Sequence, residues 1–449
     1  MAQAQGSLAQ RLRANKEAFL SDLNQGNTLD NWVVSVGNEA GDLDSLASSL
    51  AYAYFGPQSD SSSSRRYVPL TLTARADLVL RPENTEALKR AEVPEDALLT
   101  LDDLPASNLS SLGTSFALVD HNVLLPMFRS HPDQHDHEED DRRVVAVVDH
   151  HADEQRHLEA NPRLIQVVGS CASLVTKLLT ADFAPPSPES PIPTGIADLL
   201  LSAIMIDTGL KPEEKGGKAT AIDQSAVQAL LPFSSFLPSS SAASVSASFT
   251  TSSPSEADLA SALSALQDFD NLLFAKKKDV SWMSGRDLLR RDYKEYLESG
   301  VRYGLSTVPL SLSVWLDKSP AEDKEKRWEL VLADVEAWMK ERDLQLAGVL
   351  TSYEHIKKSG KEGKHRRELL LVAAPSAVSQ LKSVFEGVER DEVLQLEEWK
   401  GLEEYGAQEG QTSEGGRWRV WQQGNAKATR KQVAPALKDL VVKAAGGQS

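Results

Sequence analysis

Between residues 31 and 168 the chain repeats one arrangement, a short and unbroken apolar run that leads into acidic or imidazole side chains. Asn31–Gly37 (NWVVSVG), Ser115–Val119 (SFALV) and Val144–Val148 (VVAVV) are continuous rather than alternating. A strand wetted on one face alternates, whereas a strand covered on both faces does not. Tyr67–Leu72, Asp77–Leu80 and Leu164–Val168 read as further strands, and helices are predicted over Ser45–Tyr54, Ala172–Leu179 and Ile196–Met205. Strands separated by helices specify an α/β, Rossmann-like domain on a mainly parallel sheet.

At 449 residues the chain exceeds one ordinary core, so a second domain is expected. Two stretches read as insertions. Arg129–Arg143 (RSHPDQHDHEEDDRR) is a loop dense in His and acid. Residues 232–256 hold 11 serines and three prolines in 25 positions, a composition that cannot bury enough apolar surface to fold. Beyond them the pattern changes. A charged helix is expected over Arg286–Leu297, a half-buried strand over Val308–Leu316, a long helix over Asp323–Arg342, and strands at Leu346–Thr351 and Leu369–Val372. This reads as a smaller α/β domain, with the chain divided into residues 1–275 and 276–449.

Composition narrows the function. Lys plus Arg total 48 against 65 Asp plus Glu, a formal charge of −17. That balance disfavours a nucleic-acid coat or an anionic-membrane binder, but not a local basic site for a small polyanion. One cysteine, Cys171, excludes an internal disulfide or a multi-cysteine zinc site. No apolar run approaches the ~20 residues of a membrane helix. The N-terminus reads as an amphipathic helix, with Arg11, Arg13 and Lys16 leaving a mitochondrial pool open beside a cytoplasmic default. A monomer is expected.

Four clusters carry the chemistry: Asn38 with Asp42 and Asp44 (GNEAGDLDS), Asp120 (LVDHN), Asp149, His150 and His151 (VVDHHADE), and Asp207 (IMIDTGL). Each follows a strand or apolar helix. In an open parallel sheet the C-terminal strand ends share one crevice, so these groups would converge there. Carboxylates and imidazoles brought together suit Mg²⁺ or Mn²⁺. Taken singly, Asp42 or Asp44 reads equally well as a helix N-cap.

These motifs in this order, with GSCASLV between the last two, resemble the DHH phosphoesterase superfamily. They most resemble the branch that holds fungal cytosolic exopolyphosphatase, manganese-dependent pyrophosphatases and prune-type proteins. RDLLRRDYKEY (Arg286–Tyr296) and ATRKQVAPAL (Ala428–Leu437) resemble the DHHA2 domain of that branch. The resemblance implies two divalent ions, Mg²⁺ or Mn²⁺ with Co²⁺ as a further candidate. Asp42 and Asp120 would hold one, with Asn38 nearby. Asp44, Asp120, His150 and Asp207 would hold the other. Asp120 would bridge the ions, Asp149 would orient an imidazole, and His151 would face the phosphate. Asn38 stands where the branch usually has His, on the exopolyphosphatase side, and offers a neutral oxygen in place of a nitrogen.

Cations concentrate in the second domain. Helical spacing would put Arg286, Arg290 and Lys294 on one face, which reads as a solvated face as readily as a binding one. Arg417–Lys443 carries seven Lys or Arg against one acid. By the resemblance, Lys294, Arg430 and Lys431 are phosphate contacts, and the active site lies in a cleft that the second domain closes. The implied activity is release of orthophosphate from the end of inorganic polyphosphate. Pyrophosphate hydrolysis and a prune-like binding role are the alternatives. His131, His135 and His137 read as a solvated loop, and the amides of Gly169–Ser173 as a turn able to face phosphate.

Overall fold

The computed structural model describes residues 7–56, 65–105, 109–130, 138–183, 192–238, 254–356, 362–406 and 408–446. The chain forms two compact units, Met1–Asp279 and Val280–Ser449.

The first unit is a six-stranded parallel sheet in the order β3-β2-β1-β4-β5-β6. Its strands are β1 (Trp32–Val36), β2 (Arg66–Thr71), β3 (Leu99–Thr100), β4 (Ser115–Val119), β5 (Val144–Asp149) and β6 (Arg163–Ile165). Its helices are α1 (Leu8–Asn24), α2 (Leu43–Phe55), α3 (Pro82–Arg90), α4 (Glu138–Arg143), α5 (Cys171–Leu178), α6 (Thr194–Thr208), α7 (Ala221–Leu230) and α8 (Glu256–Lys278). Both faces of the sheet are covered, which is why its strands are unbroken apolar runs. Val33, Ala117 and Val119 join one core with α2, α5 and α6. Trp32, Val34, Val36, Phe116 and Leu118 join the other, with Phe19 of α1. Strand order reverses between β1 and β4, and the crevice of such a sheet lies at that switch, off the C-terminal strand ends.

The sequence reading needs two corrections here. Asp77–Leu80 is no strand; it lies in a 3₁₀ turn, Arg75–Leu80. The Arg75 guanidinium is tied to the carbonyls of Glu95 and Leu98 and to Asp103, and β3 takes the sheet edge beside β2. The serine-rich segment is also ordered at its start. Phe236 and Leu237 are buried, and the Ser235 N–H donates to Asp198 at 2.9 Å. Residues 239–253 lie outside the described residues. Ser255 then caps α8, which buries Ala262, Leu266, Phe269 and Leu273 along one stripe.

The second unit is an eight-stranded mixed sheet. It comprises β7 (Tyr293–Glu298), β8 (Val301–Val308), β9 (Leu346–Thr351), β10 (Tyr353–Ile356), β11 (Glu362–Ala373), β12 (Leu396–Glu398), β13 (Gly410–Gln411) and β14 (Arg417–Gln423). The order is β12-β14-β11-β9-β8-β7, with β10 on β11 and β13 on β14; β8 and β9 run parallel. Its helices are α9 (Gly285–Arg291), α10 (Leu312–Asp317), α11 (Lys324–Glu341), α12 (Lys382–Glu389), α13 (Gly401–Glu404) and α14 (Arg430–Gly446).

Two more expectations fail in this unit. The helix expected over Arg286–Leu297 stops at Arg291, and Lys294 lies on strand β7, opposite Leu305. Ser299 and Gly300 both take positive φ, 49° and 77°, and make a tight turn that pairs β7 with β8. Val308–Leu316 is no strand either. Ser311 caps α10, and the Leu312 N–H donates to the buried Glu368 carboxylate at 2.7 Å.

Candidate metal centre

Three loops leave the C-terminal ends of β1, β4 and β5 and carry the polar residues singled out above. The first, from Gly37 to Asp42, is pinned from behind. Arg81, itself buried, donates to the Ala40 carbonyl from Nε and Nη2 at 3.1 and 2.6 Å, and Asn84 donates to the Gly41 carbonyl at 2.8 Å. Gly41 has φ +58°, and a Cβ there would stand 2.5 Å from Thr73 Oγ1, so glycine is required. Asp42 then caps α2, accepting from the Ser45 N–H at 3.0 Å.

Asp120 follows β4 with φ +60°, a left-handed conformation that costs about 1 kcal/mol or more and persists only where the surroundings enforce it. Here they do. Its N–H donates to the Val148 carbonyl at 2.9 Å. Its Oδ2 accepts from Asn38 Nδ2 and from Ser45 Oγ, both at 2.6 Å. Its Oδ1 lies 3.3 Å from His150 Nε2 and 3.7 Å from His151 Nδ1. Ligand atoms of Asp120, His150 and His151 all fall within 4.8 Å of one another.

The Asn38 amide is oriented by its neighbours. The Ala40 N–H donates to Oδ1 at 2.9 Å, and only an oxygen can accept there. The amino group is therefore the end that meets Asp120. This differs from the expected neutral-oxygen ligand: Asn38 acts on Asp120 as a donor.

Asp44 is buried and lies across the N-terminus of α5. It accepts from Cys171 N at 2.7 Å, Ala172 N at 2.8 Å and Ser170 Oγ at 2.9 Å. The amides expected to face phosphate are thus taken by a carboxylate of the chain itself. Asp44 Oδ2 stands 3.9 Å from His150 Nε2. His150 in turn directs Nδ1 to the Val168 carbonyl at 3.1 Å, which leaves Nε2 for the cluster. The imidazole that Asp149 orients is therefore His151, whose Nδ1 is 2.7 Å from Asp149 Oδ1. Asn122 donates to the other Asp149 oxygen at 2.6 Å.

Burial pushes Asp42 and Asp44 above the usual carboxylate range, and the charges of Asp120 and Asp207 push both further. Arg81 partly opposes this at Asp42. Burial would also raise Asp149, but its bonds to His151 and Asn122 outweigh that and hold it low. Burial, then the charges of Asp44, Asp120 and Asp149, push the Cys171 thiol well up, so it stays protonated and packs. Asp207, near the end of α6, stands apart from the tight cluster, with Lys218 Nζ 3.9 Å from it. Buried carboxylates raised by mutual repulsion, beside an imidazole with one nitrogen already engaged, fit a hard divalent cation, which removes that repulsion.

The basic residues of the second unit are placed differently from the sequence expectation. Arg286 is committed to Glu341 through two bonds of 2.8 Å. Arg290 is half-buried on α9, and Lys294 is on another element, so the three do not share one helical face. Arg430 opens α14 and binds the Asp292 carbonyl at 3.0 Å and its carboxylate at 2.8 Å. Lys431 beside it is exposed. His131, His135 and His137 lie outside the described residues.

Sequence reasoning missed Ser45, Asn122, Ser170 and Asp223 as supports. Ser45 and Asp223 carried a readable signal, since each stands three residues after a helix N-cap, Asp42 or Thr220. What they bind across the fold was not readable.

Residues 32–204 match the DHH family N-terminal domain and residues 271–440 match the DHHA2 domain. Over 410 residues, 90% of each chain, the sequence is 29% identical to the Schizosaccharomyces pombe protein named "Putative exopolyphosphatase". It is 29% identical over 287 residues to the Bos taurus protein named "Exopolyphosphatase PRUNE1", covering 64% of this chain and 54% of that one. A crystal structure of a Methanococcus jannaschii "putative family II inorganic pyrophosphatase" aligns with a TM-score of 0.49 and 19% identity, over 91% of this chain and 99% of that one. Among the described residues no helix is long and apolar enough to cross a membrane.

Proposed function

The chain belongs to the DHH family and carries a DHHA2 domain, and on that premise we propose that it is an exopolyphosphatase, a metal-dependent hydrolase that releases orthophosphate from the end of inorganic polyphosphate. The observation that carries this reading is the convergence of Asp120, His150 and His151 at the sheet's switch point, beside the half-buried Asp42 and the buried Asp44. Asp42, Asp44, Asp120, His150 and Asp207 would hold divalent cations, which supply Lewis acidity at the phosphate oxygens and lower the pKa of a water.

The chain's own side chains do the rest. Asn38 and Ser45 fix the Asp120 carboxylate. Asp149 holds the His151 ring by Nδ1, which leaves Nε2 to meet a phosphate oxygen. Lys294, Arg430 and Lys431 bind the phosphates of the chain being shortened. The overall step consumes one water, breaks one phosphoanhydride bond, and gives orthophosphate and a chain one unit shorter. Polyphosphate is preferred over pyrophosphate as substrate because the relative matched over 90% of each chain carries the exopolyphosphatase name, and because Asn38 stands where pyrophosphatases of the branch have His.

Phosphate release from pyrophosphate, tripolyphosphate and long-chain polyphosphate, with Mg²⁺ and then Mn²⁺, tests the proposal. Turnover of the longer two, with pyrophosphate accumulating, is expected. Fast hydrolysis of pyrophosphate alone would make the protein a pyrophosphatase, and inactivity on all three would favour a binding role.

A further inference from the structure

Asp223 begins no strand and touches none of the clustered ligand atoms, yet its carboxylate is fully buried and takes five hydrogen bonds. Two come from the Thr220 that caps its own helix, at 2.7 Å from the N–H and 2.8 Å from Oγ1. The other three come from across the fold: Gly169 N at 2.9 Å, Ser170 N at 3.3 Å and Ser173 Oγ at 2.6 Å. The turn from Gly169 to Ser173 is therefore clamped to the start of α7. It has no room to drift, because a Cβ at Gly169 would sit 2.3 Å from Thr208 Cγ2 and 2.8 Å from Asp223 Oδ2.

That turn, with the adjoining Val168, holds two groups of the candidate centre. The carbonyl of Val168, next to Gly169, takes His150 Nδ1. Ser170 Oγ and the amides of Cys171 and Ala172 take both oxygens of Asp44. Asp44 lies on α2 and His150 follows β5, and this one segment sets the orientation of both. We infer that Asp223 is a positioning residue for the metal centre: through the Val168–Ala172 segment it fixes His150 and Asp44 together, and so sets divalent-cation affinity rather than substrate affinity. The inference rests on the proposed function, since it presumes the metal centre described there.

The argument from chemistry is short. A carboxylate has acceptors only, and all of its partners here are donors. Asn in its place turns an amino group towards N–H or O–H donors, so at least one bond becomes a clash and the turn loosens. Supports of this kind typically change metal affinity or activity by about 10- to 100-fold. Asp223→Asn is thus expected to weaken Mn²⁺ binding by about that factor, while KM for tripolyphosphate at saturating Mn²⁺ stays within about threefold.

The experiment is calorimetric titration of the metal-stripped full-length protein with Mn²⁺ alone, followed by steady-state kinetics. Ser173→Ala removes one donor to Asp223 and touches neither His150 nor Asp44, so it serves if Asp223→Asn does not fold; a weakening of several-fold is expected. Leu266→Ala, in the core stripe of α8, controls for general destabilisation and should bind Mn²⁺ as the parent does. Variants that fold and bind Mn²⁺ as tightly as the parent would overturn the inference alone. A loss confined to KM would also overturn it. A parent that takes up no Mn²⁺ would overturn both the inference and the metal-dependent function.

Discussion

Neutralising Asp120 should stabilise the metal-free protein while abolishing its activity. After burial, the Asp120 charge is the strongest influence raising both Asp42 and Asp44. Asp120 Oδ1 and Asp44 Oδ2 lie 3.3 and 3.9 Å from the same His150 Nε2, so they are no more than about 7 Å apart; like charges at that distance repel by about 2 kcal/mol at an effective dielectric near 20, and Asp42 adds to this. Partial protonation and solvent relaxation reduce that, so about 1–3 kcal/mol is expected from Asp120→Asn. The isostere fits the site. One oxygen can still accept from Asn38 and Ser45, and the new amino group, 3.3 Å from His150 Nε2, donates to a nitrogen whose ring partner is already engaged. Asn also tolerates the positive φ of this position. For a unit of 279 residues, about 2 °C per kcal/mol gives a rise in Tm of about 2–6 °C after chelation. Mn²⁺ at 100 times its Kd should add about 2.7 kcal/mol to the parent and nothing to the variant. Scanning calorimetry with and without chelator, beside phosphate release, reads all three quantities. A metal-free variant that melts at or below the parent would refute the claim that carboxylate repulsion destabilises this crevice.

Two further outcomes follow from single residues. Lys431→Ala should raise KM for long polyphosphate about tenfold and leave Mn²⁺ affinity unchanged; an unaltered KM across chain lengths would remove Lys431 from the substrate contacts. His157 gives a pH dependence. Burial, reinforced by Arg156, His121, Arg129 and Arg163, lowers its pKa to about 3 despite Asp141 2.8 Å from Nδ1, and its Nε2 accepts from the Leu124 N–H. The folded pKa lies below the unfolded value of about 6.5, so the unfolded chain binds the extra proton between them. Stability should therefore be unaffected above pH 6.5 and fall towards pH 4, by up to ~1.4 kcal/mol per unit. His157→Gln should show a shallower fall in urea midpoints, and parallel curves for parent and variant would count against this.

How much of this was legible in the sequence depended on which physical signal each element carried. β1, β4 and β5 are legible because burial on both faces demands unbroken apolar runs, and the convergence of Asp120, His150 and His151 was legible because they directly follow such runs. Lys294 was misplaced because RDLLRRDYKEY satisfies helical spacing as well as strand alternation. The choice is made by pairing with β8, a partner outside the segment. Val308–Leu316 failed similarly, its alternation overridden by Ser311 and by Glu368, 56 residues from Leu312. The expected basic face was undone by Glu341, 55 residues from Arg286. The orientation of the Asn38 amide was illegible for the same reason: Asp120 and the Ala40 N–H determine it, and only the fold brings the former to it.

That orientation leads to the question of how many ions the centre holds before substrate arrives. The expected arrangement has Asp120 bridging two ions. A carboxylate bridges most readily with one oxygen for each ion, but Asp120 Oδ2 already accepts from Asn38 and Ser45 at 2.6 Å. A cation there would face the Asn38 amino group, and the Ala40 N–H, which donates to Asn38 Oδ1, prevents the amide from flipping without leaving a buried N–H unpaired. Such an orphaned group costs about 1–3 kcal/mol, equivalent to roughly 5- to 150-fold in affinity. Oδ1, near His150, carries no such obstacle. One Mn²⁺ should therefore bind the substrate-free protein tightly, at the side of His150 and Asp44, and a second at least about fivefold more weakly. Asn38→Ala, which clears the amino group from Oδ2, should narrow the gap between the two. Calorimetric titration resolves the two stoichiometric steps. Two equally tight ions in the parent would show that the Asn38 amide does not restrict Asp120.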